Sequence, residues 1–179
     1  MATWKSRGLR GSAFEEMINR SNDYYRDEGL ALIQKIPTPI TPINIDKETR
    51  HITLAYFDQK STVDYIGAVQ GVPICFDAKE CAQNAFSLSN IHPHQVTFMQ
   101  RFAEQKGIAF ILICYTQKDL FYYLPIRDLT VFWERAQAGG RKSIRFDELK
   151  SAFFFKESKT DCAVVPFLSM IAKDLEEIG

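Results

Sequence analysis

Apolar and polar positions alternate with different periods along the chain, and the changes of period outline its elements. Ser12-Ala13-Phe14-Glu15 has the form of a capping box, with Ser12 at the N-cap and Glu15 three residues on. Phe14, Met17, Ile18 and Ser21 then recur at helical spacing, which predicts a helix over about 12–26 ending near Gly29. Leu30 to Ile36 reads as a strand, followed by Pro37-Thr38-Pro39-Ile40-Thr41-Pro42. Three prolines so close together rule out a helix and suit an extended excursion. Strand-like runs follow at about 51–57, 62–69 and 72–79, the last two separated by the hairpin signal Gln70-Gly71. Residues 80–91 read as a loop, and a helix over about 93–106 should end at Gly107.

Ile108 to Tyr115 is an unbroken apolar run of the kind that forms a buried central strand, with Leu120 to Leu124 beside it. Pro125 can open a short helix through Trp133, and Ala138-Gly139-Gly140 reads as a flexible joint. Pro166 suits the first turn of a terminal helix reaching Ile178. The order of elements predicts an α/β fold, a mixed central sheet flanked by helices. At 179 residues the chain is long enough for one domain with one core.

Composition narrows the class. Hydrophobic residues make up 46% and charged residues 25%, the balance of a soluble globular protein. No run approaches the roughly 20 apolar residues of a membrane span, and the N-terminus has no apolar signal core, so no membrane association and a cytoplasmic protein are expected. Cys75, Cys81, Cys114 and Cys162 form no CxxC pair and read as free thiols rather than a zinc site.

The 22 basic and 22 acidic residues cancel, which taken alone weighs against a nucleic-acid partner. Their distribution says more. Lys5, Arg7 and Arg10 precede any acid, and Arg135, Arg141, Lys142 and Arg145 form a second acid-free stretch. Either could grip a phosphate backbone, or simply be a solvated surface.

Candidate chemistry concentrates in Ser61-Thr62-Val63-Asp64-Tyr65 and Cys75-Phe76-Asp77-Ala78-Lys79-Glu80. Alternation along a strand puts Asp77 and Lys79 on one face, and Thr62 with Asp64 on one face. A hairpin at Gln70-Gly71 would bring both carboxylates together as hard oxygen ligands of the kind magnesium prefers. A lysine one pleat away could offset charge in a phosphodiester transition state. By itself the Asp-x-Lys triplet is weak, because a surface ion pair at a strand end accounts for most of its occurrences. Gln95, at the start of a helix, could place its amide oxygen beside a metal, and Glu15 or Glu16 could face the site from the first helix. His51 and His94 read as surface or capping residues, and Trp4 and Trp133 as core or packing residues rather than base-stacking platforms.

Over most of its length the sequence resembles the RecU family. Arg10-Gly11, Phe14-Glu15-Glu16, Asn19, Asn22 and Tyr24-Tyr25 resemble the family's first helix, and Lys35 with Pro37-Thr38-Pro39 the entry to its stalk. Ala55-Tyr56-Phe57, Ser61-Thr62, Asp64-Tyr65, Gly67 and Phe76-Asp77-Ala78-Lys79-Glu80 follow in family order. His92, His94-Gln95, Phe132-Trp133, Gly140-Arg141-Lys142-Ser143-Ile144-Arg145 and Asp147-Glu148-Leu149 complete it.

The resemblance implies a homodimeric Holliday junction resolvase with a restriction-endonuclease-like core and a stalk at about 37–52. It implies magnesium, with manganese as a substitute, as the cofactor of symmetric nicking, and an influence on a RecA recombinase. Thr62, Asp64, Asp77 and Gln95 correspond to metal-site residues, Lys79 to the transition-state stabiliser. Asp64, Asp77 and Lys79 are thus the expected catalytic set. Arg10, Lys47, Arg50, Arg141, Lys142 and Arg145 are the expected contacts to branched DNA. The sequence departs from the family at Asp77, where Glu is usual, and in a slightly shorter stalk and 77–95 loop. A same-fold endonuclease acting on other DNA, or a non-cutting protein that binds junctions or modulates a recombinase, are the alternatives.

Overall fold

A computed structural model describes residues 13–57, 62–158 and 163–178. Helix α1 (Ala13–Asp27) buries Phe14, Ile18, Ser21, Asn22 and Tyr25 along one face. Ser12, its expected N-cap, lies outside the described residues. Within them the helix start is tied down from a distance, because the Phe14 N–H donates to Glu80 Oε1 at 3.3 Å.

Strand β1 (Ala31–Lys35) leads to an antiparallel hairpin of β2 (Ile40–Ile45) and β3 (Ile52–Phe57). The Pro-rich excursion therefore enters a strand only at Ile40, and the expected stalk at 37–52 becomes a two-stranded ribbon over 40–57. Ile43, Ile45, Ile52, Leu54 and Tyr56 are all about half exposed or more, so the ribbon stands in solvent on both faces.

Next come β4 (Tyr65–Val69), β5 (Val72–Cys81) and β6 (Ala85–Ser87), then α2 (Pro93–Glu104), β7 (Ile108–Tyr115) and β8 (Leu120–Pro125). Helix α3 (Ile126–Gln137), β9 (Ser143–Arg145), β10 (Phe154–Phe155) and α4 (Leu168–Ile178) complete the chain. Gln70 and Gly71 both adopt positive φ, 48° and 87°, the twist that joins β4 to β5 as a two-residue hairpin. Lys106, at φ 67°, takes the left-handed position that ends α2. Gly107 is needed beside it because a Cβ there would lie 2.3 Å from the Phe102 ring.

Six strands form one sheet in the order β1-β4-β5-β7-β8-β10, antiparallel throughout except for the parallel pair β5 and β7. The mixed sheet flanked by helices is thus present. One aromatic ring from each of the four inner strands forms a row across it: Tyr65, Phe76, Phe110 and Tyr123 stack with centroids 4.7, 4.8 and 4.3 Å apart. Phe167 and Tyr25 of α1 close over this row. On the other face α2 and α3 pack on β7 and on each other, joined by Gln100 Nε2 donating to Thr130 Oγ1 at 3.1 Å.

Two expectations need correction. Residues 80–91 are not simply a loop, because β6 pairs with β9 in a separate two-stranded sheet. Ala138-Gly139-Gly140 is not a flexible joint either. It caps an α3 that runs four residues past Trp133, with Gly140 N–H on Arg135 O at 2.9 Å and Gly139 N–H on Ala136 O at 3.2 Å.

Candidate active site

The β4–β5 hairpin register sets Tyr65 opposite Phe76, so the next pair outward is Asp64 and Asp77. The two residues clamp each other. Asp64 N–H donates to Asp77 Oδ1 at 2.8 Å, and Ala78 N–H donates to Asp64 Oδ2 at 3.1 Å. Each carboxylate is thus oriented by a backbone N–H of the facing segment. Lys79, one pleat on, brings its Nζ to 3.1 Å from Asp77 Oδ2 and 3.7 Å from Asp64 Oδ2.

Burial sharpens the electrostatics. Asp77 has no exposed surface, and its Oδ2 accepts no well-directed hydrogen bond. Burial first, then the Asp64 charge, pushes its carboxyl up from the ordinary 3.8 to about 6, against the pull of Lys79. Burial works to lower the Lys79 ammonium, but Asp77, Asp64 and Glu15 together raise it. Two carboxylates share the single ammonium of Lys79, one of them fully buried, so the centre keeps an excess of negative oxygen and favours additional positive charge.

The surrounding residues divide. Thr62 is exposed, and residues 62–64 are not strand, so the period-two argument for Thr62 and Asp64 does not apply. What orients Asp64 is local pairing, including Ile36 N–H on its carbonyl at 2.8 Å. Of the two helix carboxylates, Glu16 faces solvent, whereas Glu15 is partly buried and pairs with Lys35 Nζ at 2.5 Å. The Glu15 charge reaches both Lys79 and Tyr65. Tyr65 fixes this corner, its hydroxyl donating to Asn19 Oδ1 at 3.0 Å. Gln95 is buried, and its Oε1 accepts the His92 N–H at 3.0 Å, so that oxygen serves the start of α2. His92 and His94 stack ring on ring at 5.4 Å instead of converging on a point. Among the described residues, no three His, Cys, Asp or Glu side chains gather as a metal cage.

Arg10 lies outside the described residues, as do Trp4, Lys5, Arg7, Ser61 and Cys162. Lys47 and Arg50 are exposed at the tip of the β2–β3 ribbon, in a turn tied by Asp46 Oδ1 accepting from Glu48 N–H at 2.9 Å. The second basic stretch is less free than it reads. Glu148 Oε1 takes Arg135 Nη1 and Arg141 Nη2, each at 2.6 Å, and Arg145 pairs with Asp147. Among the described residues, Lys142 is the one of these four cations with no ion pair.

Sequence reasoning missed Glu80, Lys35, Tyr65 and Asn19 as supports of this corner. All four stood in the family pattern, but nothing in their spacing revealed what they touch.

The sequence profile of RecU, described as "Recombination protein U", matches residues 9–173. A protein named Holliday junction resolvase RecU from Limosilactobacillus reuteri (strain DSM 20016) is 44% identical over 149 residues, 80% of this chain and 73% of that one. Relatives of the same name come from Pediococcus pentosaceus (strain ATCC 25745 / CCUG 21536 / LMG 10740 / 183-1w) and Streptococcus pneumoniae (strain Taiwan19F-14). The first is 37% identical over 96% of this chain and 87% of its own. The second is 38% identical over 93% and 84%. Among solved structures, that of Archaeoglobus fulgidus Hjc, a Holliday junction resolvase, matches with a TM-score of 0.38 at 10% identity. It covers 65% of this chain and 78% of that one, a likeness too loose to carry an argument.

Proposed function

The chain belongs to the RecU family, and on that premise we propose that it is a structure-selective endonuclease that resolves Holliday junctions by paired nicks. The observation that carries this reading is the Asp64–Asp77–Lys79 cluster, in which a fully buried Asp77 and a second carboxylate share one ammonium. A purely structural ion pair gains nothing from a second carboxylate forced beside a buried one. A phosphodiesterase site needs that excess of negative oxygen.

The donor set suits magnesium: hard oxygens from Asp64 and Asp77, few in number, beside surface from which water can complete an octahedron. Thr62 and the remaining oxygen lone pair of Gln95 are further candidates to hold it. When bound, such an ion polarises the scissile phosphate and lowers the pKa of a water molecule. Asp77 and Asp64 keep their positions through backbone N–H groups and need no rearrangement during the reaction. Lys79 presents an ammonium where charge accumulates on the phosphate oxygens in the transition state. Glu15 holds Lys35 and adds negative potential on the α1 side, which helps keep Lys79 protonated.

Lys47 and Arg50 at the ribbon tip, Arg10 and the 141–145 segment are the proposed contacts to the DNA backbone. Paired nicking of a two-fold junction calls for a two-fold dimer. A β1 edge strand carrying Leu32 at 67% exposure, next to a ribbon of exposed Ile43, Ile45 and Leu54, supports an apolar surface that a second copy would cover. The test is cleavage of a synthetic four-way junction against plain duplex, with magnesium present and then chelated. Junction-selective, magnesium-dependent nicking supports the reading, and equal cutting of both substrates or binding without cutting refutes it.

A further inference from the structure

We propose that the groove between residues 88–93 and α3 seats one unpaired nucleotide of the DNA, its base on the Trp133 indole and its phosphate on Lys142. Leu88 and Ile91 are buried in its floor, while His92, Trp133, Ala136 and Lys142 form its walls around about 500 Å³. That is the size range of small-molecule sites.

The walls are held, not draped. Leu88 N–H donates to Lys142 O at 3.1 Å, and the neighbouring Ser87 pairs with Ser143 in the small β6–β9 sheet. The α3 wall is fixed by the glycine cap that follows Gln137.

Three properties select the occupant. Trp133 is only partly buried and lines the groove, so part of a large π surface remains open in a sequence with only two tryptophans. The charge is one-sided: Lys142 lines the groove and no Asp or Glu does. Arg135 and Arg141 nearby are both held by Glu148, which offsets one of their two charges, and Lys142, with no ion pair among the described residues, is the cation that lines the groove itself. An aromatic face with a single cation beside it is the pairing used for bases and phosphates of single strands.

Topology places the groove usefully. Strands β5 and β7 are parallel, so α2 must run back between them, and its first turn stands at the carboxyl end of β5. His92 and Pro93 of that turn line the groove, and Lys79 lies near the same end of β5. A base displaced from a branch point could be parked there while its neighbour's phosphate lies toward the Lys79 end of β5. The inference rests on the nuclease reading only for the polymer that supplies the nucleotide.

The test uses full-length protein carrying Trp4→Phe, so that emission comes from Trp133 alone, titrated with an oligothymidylate of about ten nucleotides in chelator. Saturable quenching is expected, with an abasic oligomer of equal charge giving little. Trp133→Ala should weaken oligomer binding about tenfold, since stacking on an aromatic ring contributes roughly 1–3 kcal/mol per base. Trp133→Phe should recover most of the loss. Ala136→Phe, which fills the groove without altering Trp133, should block quenching if the fold is intact by circular dichroism. Absence of quenching, or parent-like affinity of Trp133→Ala and of the abasic oligomer, overturns the proposal. Because junction cutting with magnesium is measured separately, cutting with no Trp133 response sinks the groove and spares the nuclease. A Trp133 response without cutting does the reverse.

Discussion

Asp77→Asn exchanges a buried carboxylate for an amide of the same shape, and the site geometry gives opposite signs for its effects on stability and activity. The Asp77 carboxyl is pushed by burial, and then by Asp64, from 3.8 to about 6. Its folded-state pKa therefore exceeds the unfolded one, and ionisation favours the unfolded chain. The cost is absent below about pH 3.8, grows as pH rises, and is complete above about pH 6. A rise of that size corresponds to about 3 kcal/mol, with the Lys79 attraction already included. The amide removes the cost but also leaves Lys79 with Asp64 alone, so a gain of roughly 1–3 kcal/mol is expected at pH 7.5 without metal. For a chain of this length that is a rise in Tm of up to about 10 °C. Scanning calorimetry in chelator at pH 7.5 and again near pH 4 measures it, and the difference should close at acid pH. Magnesium should stabilise the parent by mass action and leave the variant unmoved. A variant less stable than the parent at pH 7.5, or a gap that persists at pH 4, would refute the reasoning.

Lys142→Ala should reduce the slope of log affinity against log salt by about one phosphate contact, and Arg141→Ala by less, because Glu148 already holds that guanidinium. Equal slopes for parent and both variants would return the segment to ordinary surface. Replacing the 40–57 ribbon with a short turn should cost junction binding more than duplex binding in gel shifts, since its tip carries Lys47 and Arg50. Equal losses would make it an ordinary connection. Light scattering at micromolar concentration should give a dimer, and Leu32→Glu should shift it toward monomer. A monomeric parent that still makes paired nicks would contradict that assembly.

Local signals in the sequence were strong wherever structure is local. Gln70-Gly71 specified a two-residue turn, and from it the juxtaposition of Asp64 and Asp77 followed, although Asp64 sits outside the strand that the argument assumed. The apolar run 108–115 became the central strand because it is buried on both faces. Long-range partners were not legible. Glu80 caps a helix 66 residues away, and Glu148 pairs with two arginines that precede it only because a tight turn carries it back. Strands β6 and β9 are three residues each, too short to show a period. Trp133 does pack against the core, as its helical spacing suggested, but spacing alone could not show that it also lines a groove.

The central claim is that Asp64, Asp77 and Lys79 form the cutting centre of a junction resolvase. Its most direct test is single-turnover cleavage of a labelled four-way junction, comparing the parent with Asp77→Asn under magnesium while binding is followed in calcium. The account predicts symmetric nicks by the parent and a loss of orders of magnitude in the variant, with junction affinity retained. Cleavage by a correctly folded Asp77→Asn protein at the parent rate would contradict it.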